Sequence, residues 1–337
     1  MNPFSHLKLV EPSTRSRFGS VHSINRAVMT VPSLIEAESF FVAFGLNCRR
    51  TSDTRLDVGT FDTDHAWLTI LPGNAKKLEY MSFSMYESDY QVFLEGLTCN
   101  TCEPHPAAGL AGEAGGIWLE APDGLAVHVG VGDKTSPSAR TRSSSSREVL
   151  PGLGAAPARN VAGMVRPRYL SHMLLFTPDV DQALAFYCDL LGLRLSDRSA
   201  SDIAFLHGAY GSDHHLLAFA RSTGPGLHHT SWDVGSVDDV GLGAEQMRKN
   251  GYDSGWGLGR HVLGSNYFHY VRDPWGSYAE YSYGIDYVPA TLEWPAADHP
   301  GEDSFYLWGP KTPDDFAVNY EIDKTASANV TDAKKLS

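Results

Sequence analysis

Cysteine, long apolar runs and clustered positive charge are all scarce in this 337-residue chain. Its four cysteines are too few for a disulfide framework and fit a reducing compartment, so we expect a cytoplasmic protein. No apolar run approaches the ~20 residues of a membrane span, and we expect no membrane partner. With 27 Lys and Arg against 40 Asp and Glu, and no basic stripe, the chain lacks the clustered cations that bind nucleic acid. These absences leave one class, a globular protein stabilised by its hydrophobic core.

A segment rich in Ser, Arg, Pro, Gly and Ala divides the chain in two. It covers residues 133–168 and carries no sustained apolar period, so we interpret it as a linker. We therefore expect an N-terminal domain at residues 1–132 and a C-terminal domain at 169–290. A tail at 291–337 follows, and we expect it to fold over a cleft as a lid or to contact a neighbouring subunit.

Each half repeats one order of signals twice: a short apolar strand, a capped helix that ends at glycine, and then several short strands. In the third module Asp179 is placed to cap a helix that Gly192 ends. Ser236 and Gly251 have the same places in the fourth module. The repeat predicts an α+β fold with mixed sheets, in which each of two domains is built from two βαβββ modules.

Eight of the 14 histidines lie between residues 172 and 269. Overlaying the first strands of the third and fourth modules puts His172 and His229 in equivalent places, where paired modules can bring both imidazoles to one point. Glu280 lies in an aromatic strand where we expect burial, and a buried carboxylate needs a partner. Two neutral imidazoles and one carboxylate suit a non-haem Fe(II) with open coordination positions. An ion pair with Arg or Lys is the alternative for Glu280.

The hairpin that carries Glu280 turns at Asp-Pro-Trp-Gly, residues 273–276. Proline suits the first turn position and glycine the left-handed one, which predicts a three-residue loop with a glycine bulge. In that register Tyr270 lies directly across from Glu280, ~5 Å away on the same face. The phenol could then donate a hydrogen bond to a ligand oxygen; packing against a neighbouring strand is the alternative.

One ordered set of residues resembles the pattern of the type I extradiol ring-cleaving dioxygenases of the vicinal oxygen chelate superfamily: His172, His215, His229, His261, Tyr270 and Glu280. The stretches GLGRH, YVRDPWG and EYSYG are similar to the signature of that family. The resemblance covers roughly residues 20–290. It implies the vicinal oxygen chelate or glyoxalase-like fold, in which two βαβββ modules form a partly closed sheet around a cavity.

The resemblance also implies an activity. Such an enzyme cleaves a catechol-type ring next to its two hydroxyls with O₂, giving a semialdehyde or keto acid in the degradation of aromatic compounds. Fe(II), or less often Mn(II), would be held by His172, His229 and Glu280. His215 would stabilise charge on oxygen and donate a proton, and His261 or Tyr270 would accept or hold the substrate proton. Family members form homo-oligomers, and we expect one here.

Two details of the resemblance concern the remaining modules and histidines. The N-terminal overlay puts Arg26, Tyr80 and His128 at the three ligand places, and an arginine cannot ligate a cation. The family resemblance also implies that only the C-terminal domain binds metal. We therefore expect the N-terminal domain to be a metal-free structural partner. In the pairs His214–His215 and His228–His229 the second member fits the family spacing, so strand alternation predicts that the first points to the opposite face.

Two other functions stay open. An oxygen-independent glyoxalase- or isomerase-type metalloenzyme would use Zn(II) or Ni(II), but its chemistry usually needs a further carboxylate that the places of His172 and His229 do not supply. A non-catalytic protein that binds an aromatic molecule on the same fold would need no metal ligands. The identity of the catechol also stays open, with Asn266, Tyr267 or Phe268, and Trp232 as candidates for the pocket wall.

Overall fold

The computed structural model describes residues 8–9, 18–97, 107, 109–113, 115–143, 151–152 and 154–322, so parts of the predicted N-terminal domain, linker and tail lie outside the described residues. The N-terminal half contains β1 (Lys8–Leu9), β2 (Val21–Val31), α1 (Leu34–Phe44), β3 (Asn47–Ser52), β4 (Arg55–Gly59), β5 (Ala66–Pro72), β6 (Lys77–Met85), α2 (Glu87–Gly96), β7 (Ile117–Glu120) and β8 (Ala126–Val131). The C-terminal half contains β9 (Tyr169–Thr177), α3 (Val180–Ala185), a π-helical turn (Phe186–Leu190), β10 (Arg194–Ser199), β11 (Ile203–His207), β12 (Ser212–Asp213), β13 (Leu217–Arg221), β14 (Gly226–Asp233), α4 (Val237–Lys249), β15 (Gly255–Arg260), β16 (Tyr267–Arg272), β17 (Tyr278–Tyr283), β18 (Tyr287–Val288), β19 (Leu292–Glu293), β20 (Ala297–Asp298) and a 3₁₀ turn (Gly301–Ser304).

Each half is organised around one large mixed sheet. The N-terminal sheet has seven strands in the order β3-β4-β5-β2-β6-β8-β7, and the C-terminal sheet has nine in the order β15-β16-β17-β14-β9-β13-β11-β10-β20. In the C-terminal sheet β14 pairs in parallel with β17 and in antiparallel with β9. Few helices and two sheet-bearing domains confirm the predicted α+β class.

The predicted module order is visible in the strand sequence. Both C-terminal modules, β9-α3-β10-β11-β13 and β14-α4-β15-β16-β17, follow the βαβββ order, with the short β12 added to the first. In the second N-terminal module the stretch between α2 and β7 includes residues outside the described part of the chain. Between Val131 and Tyr169 the described residues form neither helix nor strand. The domain boundaries themselves stay a prediction.

Local capping explains where α3 and α4 begin. The side chains of Asp179 and Ser236 accept hydrogen bonds from main-chain N–H groups three residues on, which confirms both predicted N-caps. Gly192 (φ +71°) and Gly251 (φ +84°) follow these helices in the left-handed conformation that favours glycine. None of the helices that the structure describes is long and apolar enough to cross a membrane.

The two halves pack through aromatic side chains. Tyr281 stacks on Phe44 with ring centroids 3.8 Å apart, and its hydroxyl donates to the Phe44 carbonyl at 2.8 Å. Trp232 is fully buried and meets Trp67 edge to face, with ring centroids 6.1 Å apart. Trp232 therefore lies in the interface between the halves instead of the predicted pocket wall.

The described part of the tail is docked on both halves. Residues Ala297–Asp298 add an edge strand to the C-terminal sheet beside β10. Near the end of the described chain, Glu321 forms a buried ion pair with Lys76 at 3.1 Å. The same carboxylate accepts from the main-chain N–H groups of Leu78 (2.8 Å) and Leu227 (2.9 Å). The tail therefore links the two sheets.

Candidate metal centre and active site

Three neighbouring strands in the middle of the C-terminal sheet carry the predicted ligands. His172 lies on β9, His229 on β14 and Glu280 on β17. Ser231 of β14 is the register partner of both His172 and Glu280, so these two side chains flank the central strand at one level. The equivalent row in the N-terminal sheet joins residues 26, 82 and 128, which matches the register of the predicted overlay.

The structure brings the three side chains to one point. The Nε2 atom of His172 lies 3.3 Å from Glu280 Oε2, and that of His229 lies 3.7 Å from the same oxygen. One ligand atom from each residue lies within 4.8 Å of the other two, and all three side chains are buried. This is the one such group of three or more metal-ligating residues among the residues described.

Two atoms of this cluster lack a hydrogen-bond partner: Nε2 of His229 and Oε2 of Glu280. Buried polar atoms are nearly always satisfied, so an unpaired nitrogen facing an unpaired carboxylate oxygen needs an explanation. A divalent cation between them would satisfy both atoms. Two imidazoles and one carboxylate are also a donor set that transition metals accept. The residues present therefore fit a bound metal ion.

The protonation states suit ligation. Burial would raise the pKa of Glu280, but interactions with the nearby His172 and His261 imidazoles outweigh burial and hold the pKa well below its usual range. Burial lowers the pKa of His172 and, more strongly, of His229. The carboxylate is thus charged and the imidazoles neutral, which are the forms that bind metal.

The hairpin of β16 and β17 has the predicted register. Asp273 N–H donates to the Ser277 carbonyl at 2.7 Å, and Tyr270 is the direct partner of Glu280. The Tyr270 hydroxyl lies 2.9 Å from Nε2 of His261. Nδ1 of His261 donates to the main-chain carbonyl of Phe305, so its Nε2 accepts from Tyr270. The Tyr270 hydroxyl thus bonds to His261 and also interacts with the carboxylate of Glu280, which is one of the predicted ligands.

His215 lies against the ligand cluster from another direction. Its ring centroid is 4.0 Å from that of His172, and the residue is buried. Burial lowers the pKa of His215 well below its usual value. All six residues that the sequence singled out therefore surround one place; their roles as ligands and catalysts stay proposals.

Asn266 is a site residue whose role the sequence reasoning missed. Its amide group donates to Glu280 Oε1 at 3.1 Å and to the Ser282 hydroxyl at 2.9 Å, which orients the carboxylate. The sequence did contain a signal for this role. Residues 266 and 270 are four positions apart, and an even spacing in an extended segment puts two side chains on the same face. Sequence reasoning had placed Asn266 only in the pocket wall, which it does line.

The first members of the two histidine pairs do not behave alike. His228 is the extra residue of a β-bulge in β14, since Leu227 pairs with Leu175 and His229 with Leu174. Both His228 and His229 line the cavity, so the prediction that His228 points to the opposite face was wrong because the bulge breaks strand alternation.

His214 lies between β12 and β13, outside regular strand structure. It is fully buried behind His215, with its Nε2 2.8 Å from Asp197. His214 is therefore near the site without lining the cavity.

A cavity of about 400 Å³ opens onto the cluster. Most of its wall is apolar, with contributions from strands on either side of the central strands and from the tail: Leu174, Ile203, Phe205, Ala220, Trp256, Leu263, Phe305, Phe316 and Ala317. The tail thus contributes part of the cavity wall, and its role as a lid or as a subunit contact stays a prediction.

The equivalent place in the N-terminal sheet has different chemistry. Arg26 lies 3.2 Å from Glu113, and the Tyr80 hydroxyl donates to the same carboxylate at 3.1 Å. His128 is hydrogen-bonded through Nδ1 to the Ser82 hydroxyl at 2.9 Å. A guanidinium occupies the place that His172 has in the other sheet.

Comparison with known proteins agrees with this geometry. Residues 169–281 match the Glyoxalase/Bleomycin resistance protein/Dioxygenase superfamily. Metapyrocatechase 2 of Cupriavidus necator is 49% identical over 313 residues, 92% of this chain and 95% of that protein. The chain belongs to the extradiol dioxygenases.

More distant relatives agree with the family. Biphenyl-2,3-diol 1,2-dioxygenase of Metapseudomonas furukawaii is 34% identical to this enzyme over 158 residues, 44% of this chain and 50% of that protein. An extradiol ring-cleaving dioxygenase from B. fuscum superimposes with a TM-score of 0.70 at 18% identity, covering 92% of this chain and 84% of the other. The predicted glyoxalase-like fold is confirmed.

Proposed function

We propose that this dioxygenase uses Fe(II) and O₂ to cleave a catechol-type ring beside its two hydroxyls, placing both oxygen atoms in a semialdehyde or keto acid. The observation that carries the proposal is the buried cluster of His172, His229 and Glu280, whose unpaired atoms face one another in an apolar cavity. Two imidazoles and one carboxylate with open positions are typical of non-haem Fe(II) oxygenases, which favours iron over manganese. The product fits a role in the degradation of aromatic compounds.

Bound Fe(II) would supply a Lewis acid for the substrate hydroxyls and a redox centre for O₂. Tyr270 and His261 provide the route for the substrate proton. Because the Tyr270 hydroxyl donates to His261 Nε2, its oxygen keeps lone pairs that can accept a hydrogen bond from the substrate. As the substrate proton moves to Tyr270, the phenolic proton passes to His261.

His215 acts on the opposite side of the cluster from Tyr270 in this proposal. Its buried, neutral imidazole lies beside His172 and can hold a proton for the oxygen atom that enters the product. The apolar wall excludes water, which strengthens these polar interactions. A positioned acid or base of this kind is typically worth ~10²–10⁴ in rate.

The cavity wall favours a catechol with a neutral, apolar substituent. Its lining contains one cation, Arg221, which is half exposed at the rim and lies 3.6 Å from the Asp202 carboxylate. A substrate carboxylate would therefore lose its hydration without gaining a buried partner. We expect 4-ethylcatechol to have at least a 10-fold higher kcat/KM than the similarly sized 3,4-dihydroxyphenylacetate, measured by O₂ uptake. Equal values would contradict this substrate class.

The activity is tested by reconstitution. Metal-free enzyme is loaded anaerobically with Fe(II), Mn(II), Zn(II) or Ni(II), and air and a panel of catechols are added while O₂ uptake and a yellow ring-fission product are recorded. We expect both signals with Fe(II), and a loss of about 10²–10⁴ in turnover for His215→Phe with metal still bound. Tight binding of Zn(II) or Ni(II) with no uptake would favour the oxygen-independent alternative, and aromatic binding without turnover the non-catalytic one.

The same proposal includes a cytoplasmic homo-oligomer. Cys48 and Cys188 are both free thiols, which suits a reducing compartment. Several apolar side chains are exposed on the surface, among them Ile35 and Leu307, at 71% and 63%. Light scattering on the purified enzyme would measure its oligomeric state, and a monomeric mass would contradict the proposal.

A further inference from the structure

Two pairs of adjacent histidines contact one another through the same ring atoms. The Nδ1 atoms of His228 and His229 are 2.6 Å apart, and those of His214 and His215 are 3.0 Å apart. At these distances one nitrogen of each pair carries the hydrogen and the other accepts it. The position of this hydrogen decides whether His229 and His215 direct a lone pair or an N–H group into the cavity.

For the first pair the answer comes from the tail. Nε2 of His228 lies 2.8 Å from the main-chain carbonyl of Phe316, which can only accept, so this nitrogen carries the hydrogen. Nδ1 of a neutral His228 is then an acceptor, and Nδ1 of His229 donates to it. The ring hydrogen of His229 is therefore on Nδ1. Its Nε2 atom carries the lone pair and faces Glu280.

For the second pair the anchor is a carboxylate. Asp197 Oδ2 accepts from Nε2 of His214 at 2.8 Å, so in the neutral form of His214 its Nδ1 accepts from Nδ1 of His215. The tail holds Asp197 in turn, through the Trp294 indole (3.2 Å), the Ala297 N–H (3.0 Å) and the His299 imidazole (2.8 Å). His215 therefore has Nε2 as the nitrogen available to the cavity.

The common feature is that neither His228 nor His214 has a ring nitrogen left to bind metal, because both nitrogens of each ring are hydrogen-bonded within the protein. His228 is the bulged residue of β14, and its ring nitrogens are both occupied, by His229 and by Phe316. His214 does not line the cavity, and its nitrogens are occupied by His215 and Asp197. Each ring lies between an acceptor that the tail supplies or holds and a residue of the active site.

We propose that His228 and His214 are positioning residues that set the ring proton of His229 and His215, with the C-terminal tail as the anchor of both. The inference rests on the proposed roles of His229 as a ligand and His215 as a catalyst. It assigns the two pairs different effects, because one acts on a ligand and the other on an acid–base group. Groups that orient a ligating histidine are typically worth ~10–100-fold in metal affinity.

Leucine and glutamine variants test separately the action of His228 on His229 and the action of His214 on His215. Leucine keeps the apolar volume and removes both hydrogen bonds, whereas the glutamine amide can accept from one neighbour and donate to the other. We expect His228→Leu to raise the Co(II) dissociation constant of the metal-free enzyme by about 10–100-fold, and His228→Gln to recover most of that loss. Co(II) binding is read from anaerobic absorbance titrations, independently of turnover.

The His214–His215 pair should affect turnover and not metal affinity. We expect His214→Leu to leave Co(II) affinity unchanged within about twofold, and to lower kcat of the Fe(II)-loaded enzyme by about 10²-fold with little change in KM. His214→Gln should recover part of kcat. His22→Leu is the matched control: His22 is also fully buried and hydrogen-bonded, to Gly132 O at 3.0 Å, but lies in the N-terminal half.

Two results would overturn the inference. If both leucine variants match His22→Leu in Co(II) affinity and in kcat, the pairs have no positioning role. If His228→Leu and His214→Leu lose both properties equally and glutamine restores neither, the effect is general misfolding of the site. His229→Ala distinguishes failure of the positioning proposal from failure of the proposed function. Unchanged Co(II) affinity in that variant would show that His229 is not a metal ligand.

Discussion

Glu280 shows at the residue scale how a fully buried charge is accommodated. One carboxylate oxygen accepts from Asn266 and the other has no hydrogen-bond partner among the described residues, although two imidazole nitrogens lie within 4 Å of it. A buried carboxylate left this way is costly unless a cation completes its surroundings. The stability of the folded enzyme should therefore depend on bound metal through this one side chain.

Replacing Glu280 with Gln keeps the shape of the side chain and removes its charge. We expect excess Co(II), added anaerobically, to raise the unfolding temperature of the wild-type enzyme, because a ligand that binds only the folded state stabilises it. The Glu280→Gln variant should lose most of that increase. Differential scanning calorimetry with and without Co(II) measures the effect, and an equal increase in both proteins would contradict it.

Asn266→Ala tests the same carboxylate from the other side. The variant keeps the charge of Glu280 but removes the donor that orients Oε1. We expect a loss of about 10-fold in Co(II) affinity, smaller than the loss for Glu280→Gln, because supporting groups typically contribute ~10–100-fold. Anaerobic titration of both variants gives the ranking, and a larger loss for Asn266→Ala would reverse the assignment of roles.

At the scale of elements, the hairpin of β16 and β17 was predictable and the bulge of β14 was not. The turn at residues 273–276 specifies its own register, because the Asp273 carboxylate accepts from the N–H groups of Trp275 and Ser277. The approach of His172 to His229 was predictable from module repetition. The bulged residue His228 is hydrogen-bonded to the carbonyl of Phe316, 88 residues away, and no local pattern contains that contact.

Gly276 is the position where this hairpin meets the tail. Its φ of +102° strains any other residue, and an added Cβ would lie 2.5 Å from the Tyr320 ring. Gly251 has a similar φ of +84° but open space around it. We expect Gly276→Ala to lower the free energy of unfolding by about 2–4 kcal/mol and Gly251→Ala by about 1 kcal/mol. Urea unfolding compares them, and equal losses would show that the tail contact contributes nothing.

At the scale of the whole molecule, an ion pair between Lys76 and Glu321 helps the tail to join the two sheets. Lys76 and Glu321 are both almost fully buried, and Lys76 also donates to the Leu227 carbonyl at 3.2 Å. Lys76→Met leaves the Glu321 charge buried without its partner, which typically costs ~3–5 kcal/mol. We expect a loss of that size in the free energy of unfolding. Adding Glu321→Gln should recover part of it; a double variant less stable than Lys76→Met would contradict this.

Acid stability gives a second prediction at this scale, because His22 is buried on β2 in the N-terminal half, outside the candidate metal site. Burial lowers its pKa from 6.5 to about 4 in the folded enzyme. Its contribution to stability is therefore fully present above pH 6.5 and is lost as the pH falls from 6.5 towards 4, since the unfolded chain takes up the proton first. Between pH 7.5 and 5.5 the loss from His22 is about 1 kcal/mol.

The pH slope of the wild-type enzyme alone would not show this loss. Burial raises the pKa of Asp233 to about 7, and a carboxyl with a raised folded pKa gains stability over the same fall in pH. His22→Gln isolates the histidine, because the amide can still donate to Gly132 and does not titrate. We expect the stability difference between wild type and variant to shift by about 1 kcal/mol in favour of the variant from pH 7.5 to pH 5.5. A difference independent of pH, measured by urea unfolding at both values, would mean that folding does not change the pKa of His22.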